Sequence, residues 1–262
     1  KLGCSCDWSR TRFTMDKDLS SAVTKVFVDL YNKKLIYKDK KLVNWDTALQ
    51  TAISDLEVVQ KDSQSNLYYI DYKFEDSSEK ITIATTRPET MMGDTAIAVN
   101  PKDKRYVNYV GKKVKIPLVN RYIKIIKDYY ADPEQGSGAV KITPAHDFND
   151  YVVGKRNKLQ IINILEKDGK INLNGIKETI GLDRFEARKL IISKLKESGH
   201  LVKIEQIKNK VPYGDRSNTI IEPLLTEQWF VNAKHLSKKP IEVVKKKKTS
   251  FYPENWKKTF FQ

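Results

Sequence analysis

Hydrophobic and polar positions change their period twice along this chain. Residues 1–60 read as helical and connective: Leu19, Val23, Val26, Phe27, Leu30 and Tyr31 recur at helical spacing, with Asp16 or Ser20 placed to cap the start. A face of that kind is ordinarily core. Leu42 to Asp46 reads as a short strand or turn around a packed Trp45, and the polar run Lys61 to Asn66 as a linker. From residue 67 short β-rich runs take over: Leu67–Phe74, Lys80–Thr85, Ala96–Val99, Val114–Ile116, Tyr122–Ile126, Ala139–Thr143 and Ile161–Leu165. Turn signals at Glu75-Asp76-Ser77-Ser78, Asn100-Pro101 and Asp168-Gly169 separate them. Many short strands at such intervals predict a closed or nearly closed barrel.

The helical period returns over 181–199. Asp183 with Glu186 gives a capping-box-like start, Ala187, Leu190, Ile191 and Leu195 an apolar face, and Gly199 a stop. Beyond residue 200 the chain reads as connective. Pro212 to Ser217 is a turn, Glu222 to Phe230 is apolar and aromatic, and Lys245 to Lys248 is a solvated run of lysines. The expected fold is α+β and β-rich: a barrel-like sheet with flanking helices, plus a helical and connective stalk. The expected division is an N-terminal connective limb over 1–62, a core domain over 63–207 and a returning limb over 208–262.

Composition narrows the function classes. The 262 residues, 40% hydrophobic and 31% charged, suffice for one large domain or a domain with a stalk. No apolar run is long enough to span a membrane, and no signal-peptide pattern opens the chain. The opening Lys1-Leu2-Gly3 and the closing Phe260-Phe261-Gln262 suggest a piece excised from a longer protein. A net charge of +15 favours a polyanionic partner, most often nucleic acid, although lysine outnumbers arginine as a lysine-rich proteome alone would produce. Cys4 and Cys6 stand one residue apart, too close for an easy disulfide, and no second pair completes a zinc site. Free thiols fit a reducing cytosol. His146, His200 and His235 are scattered, and no metal is expected.

Two stretches carry candidate chemistry. The first runs from Gly136 to Asp150. Two glycines let backbone approach a ligand, a short strand puts Lys141 and Thr143 on one face, and Pro144 stops it. If a helix follows, Asp147 and Asp150 share a face. A cation, a hydroxyl and two carboxylates would then surround a pocket suited to a ligand with both an ammonium and a hydroxyl. The same residues also fit a plain strand–turn–helix joint with Asp147 as N-cap. His146-Asp147 resembles the core of a metal phosphohydrolase signature, but the other ligands are not apparent. The second stretch, Thr85 to Thr95, offers four threonines, Arg87 and Pro88 after a strand. Hydroxyls and amides of this kind hold ribose, phosphate or an oxyanion, and a hydroxyl-rich turn without a role is the plain alternative.

Together the two stretches closely resemble the editing insertion of valyl-tRNA synthetases. Thr85–Thr90 is similar to the threonine-rich peptide of the valyl, isoleucyl and leucyl editing domains, and Gly136–Asp150 to their second signature. The flanks Ser5–Asp16, Tyr151–Arg156 and Glu222–Trp229 match as well, so the resemblance covers nearly the whole chain. Lys-Ile-Thr-Pro-Ala-His-Asp points to the valyl branch; isoleucyl and leucyl relatives keep the last Asp but not Lys141 with Thr143. The two nucleotide-binding signatures of the ATP-dependent catalytic domain are absent. Where some valyl relatives carry a cysteine pair, this chain has Pro212-Tyr-Gly-Asp-Arg216, so no zinc is expected there.

The resemblance implies hydrolysis of threonine mistakenly esterified to tRNA(Val). Valine and threonine are near-isosteres, and the valyl enzyme is itself the standard illustration of an apolar pocket that cannot reject an added hydroxyl. A second site that requires the hydroxyl discriminates by roughly 10⁴ or more, because valine leaves its buried polar groups unpaired. Lys141, Thr143 and Asp147 are the types to read that hydroxyl. The resemblance assigns Asp150 to the α-ammonium. It places Arg87 and the threonine-rich loop on the terminal adenosine and its ester, with His146 beside them. Thr85, Thr86 and Thr90 would stabilise the oxyanion formed when water attacks. Asp132 and Glu134 are further candidates, or a plain acidic loop. The implied partners are the tRNA(Val) acceptor end and the rest of the synthetase chain. No membrane is implied, the segment is expected to be monomeric and cytoplasmic, and ATP and magnesium would belong to the parent's catalytic domain alone. Isoleucyl-type editing and a non-catalytic tRNA-binding module are the alternatives.

Overall fold

The computed structural model describes residues 3–261; Lys1, Leu2 and Gln262, where the chain opens and closes, lie outside them. In chain order the strands are β1 (Ile36–Asp46), β2 (Thr51–Ile53), β3 (Val58–Phe74), β4 (Lys80–Thr85), β5 (Ala96–Val99), β6 (Lys113–Lys115), β7 (Tyr122–Lys127), β8 (Ala139–Ile142), β9 (Leu201–Gly214) and β10 (Glu222–Val231). The helices are α1 (Lys17–Asn32), α2 (Phe148–Arg156), α3 (Arg184–Glu197), α4 (Ala233–Leu236), α5 (Lys238–Lys245) and α6 (Trp256–Phe261). Two units divide the chain. One is Lys41–Thr226; the other takes the two ends, up to Lys40 and from Glu227.

The Lys41–Thr226 unit is organised by a seven-stranded sheet in the order β4–β3–β6–β7–β5–β8, with β9 also on β3. Alternation in β3 and β4 explains its core. Tyr72 faces Ile81 and Ile70 faces Ile83 across the antiparallel register, and these four side chains are buried. β5 is apolar throughout and buried at every position, because it is central: β7 runs parallel on one side and β8 antiparallel on the other. The end strands β4 and β8 come back into contact without a hydrogen-bonded ladder, so the sheet curls into a half-barrel and does not close.

Several expectations are corrected. The supposed linker 61–66 is the middle of β3, paired residue by residue with β9 from Val58↔Gly214 to Tyr68↔Ile204. Residues 60–66 of β3 are polar on both faces and mostly exposed, so backbone pairing holds them and no hydrophobic alternation announces them. The boundaries at 62/63 and 207/208 therefore fall inside two paired strands. The chain after residue 200 is strand as far as Gly214, and the turn begins there, with Asn218 N–H donating to the Gly214 carbonyl at 2.9 Å. Ile161–Leu165 is not a strand. Its backbone is engaged elsewhere, Ile164 N–H on the His146 ring and the Leu165 carbonyl on the Asn163 amide. Leu42–Asp46 belongs to the eleven-residue β1, with Trp45 buried and its Nε1–H donating to the Lys167 carbonyl at 2.7 Å.

The terminal unit corrects another reading. No residue of α1 is buried; Val23 is 67% and Val26 56% exposed. Trp229 meets Phe27 and Tyr31 edge-on, at centroid distances of 5.3 and 6.0 Å. Asp16 precedes the helix but caps no helical amide; its carboxylate accepts from Phe13 N–H instead.

Two helices matter for the site. α3 starts at Asp183, whose carboxylate accepts from Phe185 N–H, without the reciprocal Glu186 bond of a capping box. α2 starts at Asp147, as either reading of that stretch required. It lies close against the turn that ends β8: a Cβ added to Gly154 would stand 2.7 Å from Pro144 Cγ. Gly154→Ala is expected to destabilise the protein by about 1–3 kcal/mol, read as a lower denaturant midpoint at unchanged slope. An unchanged midpoint would show that α2 is free to shift.

Candidate functional site

A cavity of about 870 Å³ opens where the threonine-rich loop, β8 and the start of α2 converge. It is lined by all nine residues singled out in the sequence: Thr85, Thr86, Arg87, Thr90, Lys141, Thr143, His146, Asp147 and Asp150. Local structure explains the convergence. The loop leaves the end of β4, and Pro88–Gly93 winds into a buried 3-10 turn. β8 ends at Ile142, Pro144 breaks it, and α2 begins four residues after that proline, at Phe148.

Lys141 points its ammonium into protein. Nζ donates to Thr90 Oγ1 at 2.9 Å, to Asp94 Oδ1 at 3.0 Å and to Thr143 Oγ1. Thr143 Oγ1 donates to the same Asp94 oxygen at 2.6 Å, and the Tyr72 hydroxyl donates to the other at 2.7 Å. Asp94 is fully buried, and burial followed by the Asp94 charge pushes the Tyr72 phenol well up. Asp94 was missed in the sequence, although it lies within the stretch Thr85 to Thr95. The signal available was Lys141 itself: a lysine in a sheet-forming run is buried only when paired.

Thr143 joins this cluster to the acid next door, because its backbone N–H donates to Asp150 Oδ2 at 2.8 Å. Asp150 is buried, and burial followed by the Asp147 charge raises its carboxyl from 3.8 to about 7. Burial, then the charges of Asp150 and Asp147, push the nearby Tyr130 phenol up. Asp147 is the N-cap of α2: Oδ1 accepts from Asn149 N–H at 2.8 Å and Asp150 N–H at 3.0 Å. The two carboxylates therefore meet at a helix start, with one of them outside the helical face.

Arg87 is held by protein. Its Nε donates to Glu89 Oε1 at 3.2 Å, Nη1 to the His146 carbonyl at 3.2 Å, and Nη2 to Glu222. Burial opposes its charge, but Glu222 and Glu89 outweigh burial and raise its pKa. Glu89 in turn takes a two-bond fork from Arg188 at 2.7 and 2.8 Å, and Glu222 accepts from Arg184 at 2.7 Å. Three arginines and two glutamates thus tie the loop to α3 and the start of β10. None of Glu89, Arg184, Arg188 or Glu222 was singled out for this role.

The remaining candidates are placed as follows. Thr85 Oγ1 accepts from Arg87 N–H at 3.0 Å, and Thr90 Oγ1 donates to the Arg87 carbonyl at 2.9 Å. Thr86 lines the cavity half-buried. His146 accepts the Ile164 N–H on Nε2 at 2.9 Å, so its proton sits on Nδ1. Burial, then the Arg87 and Lys141 charges, keep the ring neutral. Asp132 lines the cavity, exposed, and accepts from Glu134 N–H; Glu134 is outside the lining. Among the described residues no group of three or more His, Cys, Asp or Glu is placed to hold a metal, Cys4 and Cys6 are exposed and form no disulfide, and no helix is long and apolar enough to cross a membrane.

The raised Asp150 carboxyl carries a stability signature. Its folded value lies above its unfolded one, so its contribution is full below pH 3.8 and falls away as pH rises to about 7. Asp150→Asn keeps an acceptor for Thr143 N–H and removes the charge. Relative to wild type it should gain a few kcal/mol between pH 4 and pH 8, measured by denaturant unfolding. A pH-independent difference would mean the carboxyl is not held neutral by the fold.

Comparison with known proteins bears on this geometry. The family profile described as tRNA synthetases class I (I, L, M and V) matches residues 1–262. Valine–tRNA ligases align over the whole chain: that of Pelagibacter ubique at 69% identity over 262 residues, that of Rhodopseudomonas palustris at 54% over 284 and that of Francisella tularensis at 54% over 261. The chain spans 30%, 30% and 28% of their respective lengths. Among solved structures, the ternary complex of Agrobacterium radiobacter K84 agnB2 LeuRS, tRNA and LeuAMS matches 75% of this chain and 33% of its own, at 20% identity and a TM-score of 0.42.

Proposed function

Since the chain belongs to the class I tRNA synthetases (I, L, M and V) and aligns throughout with valine–tRNA ligases, we propose that it is the segment that hydrolyses threonine from mischarged tRNA(Val). The parent enzyme would join valine to the same tRNA with ATP in a domain outside this segment. The observation that carries the reading is the double use of Thr143. Its hydroxyl belongs to the Lys141–Asp94–Thr90 cluster while its amide holds Asp150. A hydroxyl-reading group and an acid suited to an α-ammonium thus adjoin in one cavity, the pairing that a β-hydroxy α-amino acid presents.

In this reading Asp150, ionised by the incoming ammonium, anchors the amino group, and the cluster takes the side-chain hydroxyl. Water attacks the ester carbonyl. Hydroxyls or amides of Thr85 and Thr86 hold the oxyanion, and the bond to the ribose oxygen breaks as that oxygen gains a proton; Thr90 takes no part in that, because its N–H and its O–H both donate to the Arg87 carbonyl. No protein nucleophile is required, since aminoacyl esters are labile and positioning water suffices. Arg87 acts by fixing the loop through Glu89 and Glu222, a role its engaged nitrogens support better than direct contact with the adenosine. A tRNA-binding module without chemistry would account for the +15 charge but gives a buried cation–hydroxyl–acid cluster nothing to do.

The test is hydrolysis of threonyl-tRNA(Val) beside valyl-tRNA(Val) by the full-length protein. Threonyl ester should be lost selectively, and Thr143→Val, which keeps shape and deletes the hydroxyl, should slow it about 100-fold with tRNA affinity retained. At low substrate the rate should climb with pH through about 7, as Asp150 ionises without help. Equal hydrolysis of both esters would refute the reading.

A further inference from the structure

Counting hydrogens around Lys141 fixes what the cluster can offer a ligand. An ammonium has three donors and no acceptor, and each threonine hydroxyl has one donor and two lone pairs. All three Lys141 N–H groups are engaged, on Thr90, Asp94 and Thr143. The Thr143 proton goes to Asp94, and the Thr90 proton to the Arg87 carbonyl. One lone pair on each threonine oxygen receives Lys141. What remains is one lone pair on Thr90 and one on Thr143, with no proton left to give. Thr90, Lys141 and Thr143 line the cavity; Asp94 does not, standing behind them fully buried with Tyr72 on its far oxygen.

We propose that Asp94 is a specificity-determining residue: it draws the protons of Lys141 and Thr143 back into the fold, so the side chain accepted in the cavity must donate a hydrogen bond. The inference rests on the deacylase reading and refines it. The cation at the site does not itself read the substrate; it orients the oxygens that do. A β-hydroxyl qualifies because it carries a proton. A methyl fails for want of polarity. Fluorine or an ether oxygen fails too, since neither can donate to an acceptor-only pair. The pocket therefore selects a donor, where a free lysine ammonium would select an acceptor.

The experiment uses the full-length protein and tRNA(Val) charged chemically with threonine, valine or 2-amino-3-fluorobutyrate, which is threonine with fluorine in place of its hydroxyl. The fluoro ester should be hydrolysed at the valyl rate, about 100-fold or more below the threonyl rate. Fluoro and threonyl esters hydrolysed alike, with valyl spared, would overturn the proposal and leave the deacylase reading intact. No preference for threonyl over valyl would remove that reading and the proposal with it. Asp94→Ala supplies a second arm, since it frees one Lys141 N–H and the Thr143 O–H. The fluoro-to-threonyl rate ratio should then rise about tenfold, whereas a purely structural role for Asp94 would lower both rates and leave their ratio unchanged. Should that variant not fold, the wild-type series of three esters decides the question.

Discussion

Burying an ammonium on the inner face of a curled sheet is unfavourable unless charge and hydrogen bonds are both supplied, and Lys141 receives both from Asp94, Thr90 and Thr143. Removing one member of such a pair costs about 3–5 kcal/mol, because a desolvated charge is left behind. That asymmetry imposes order on everything nearby. Thr90 must sit where its oxygen reaches Lys141, which fixes the 3-10 turn from Pro88 to Gly93. Thr143 must follow β8 at the point where its amide meets Asp150, which fixes the entry to α2. The cluster is thus a structural joint between three elements as well as a polar surface on the cavity.

A second network restrains the same loop from its other side. Arg87, Arg184, Arg188, Glu89 and Glu222 form alternating, largely buried pairs that join the loop to α3 and to the beginning of β10. Bidentate geometry, as between Arg188 and Glu89, fixes direction as well as distance. Between the two networks the loop has little freedom, which suits a site whose hydroxyls and amides must meet a developing charge without rearranging. Asp150, tied to the first network through the Thr143 amide, has its charge disfavoured by burial and by Asp147, so a cation brought beside it would favour its ionised form.

How far the sequence could be read depended on how local the determining interaction was. The strands of the half-barrel announced themselves because Ile70, Tyr72, Ile81 and Ile83 alternate into a core, and α2 and α3 because an Asp precedes each and accepts a helical amide. The β3–β9 ribbon was illegible. Residues 60–66 of β3 are polar on both faces, and what holds them is pairing across more than a hundred positions of chain. The exposed apolar face of α1 was misread for the converse reason: helical periodicity shows that a stripe exists, and burial depends on what covers it.

The nine candidate residues could be named from the sequence because they cluster in two short peptides whose residue types carry their own chemistry. Their order in space could not. That Asp94 sits behind Lys141, that Arg87 faces two glutamates, and that Asp147 caps α2 while Asp150 is buried beside Thr143 are outcomes of packing between distant segments. The sequence by itself determined which groups were available, since hydroxyls, carboxylates and cations are properties of residues. Only the tertiary structure decided which of their protons and lone pairs remain free, because that depends on partners which loop, strand and helix supply to one another only once folded.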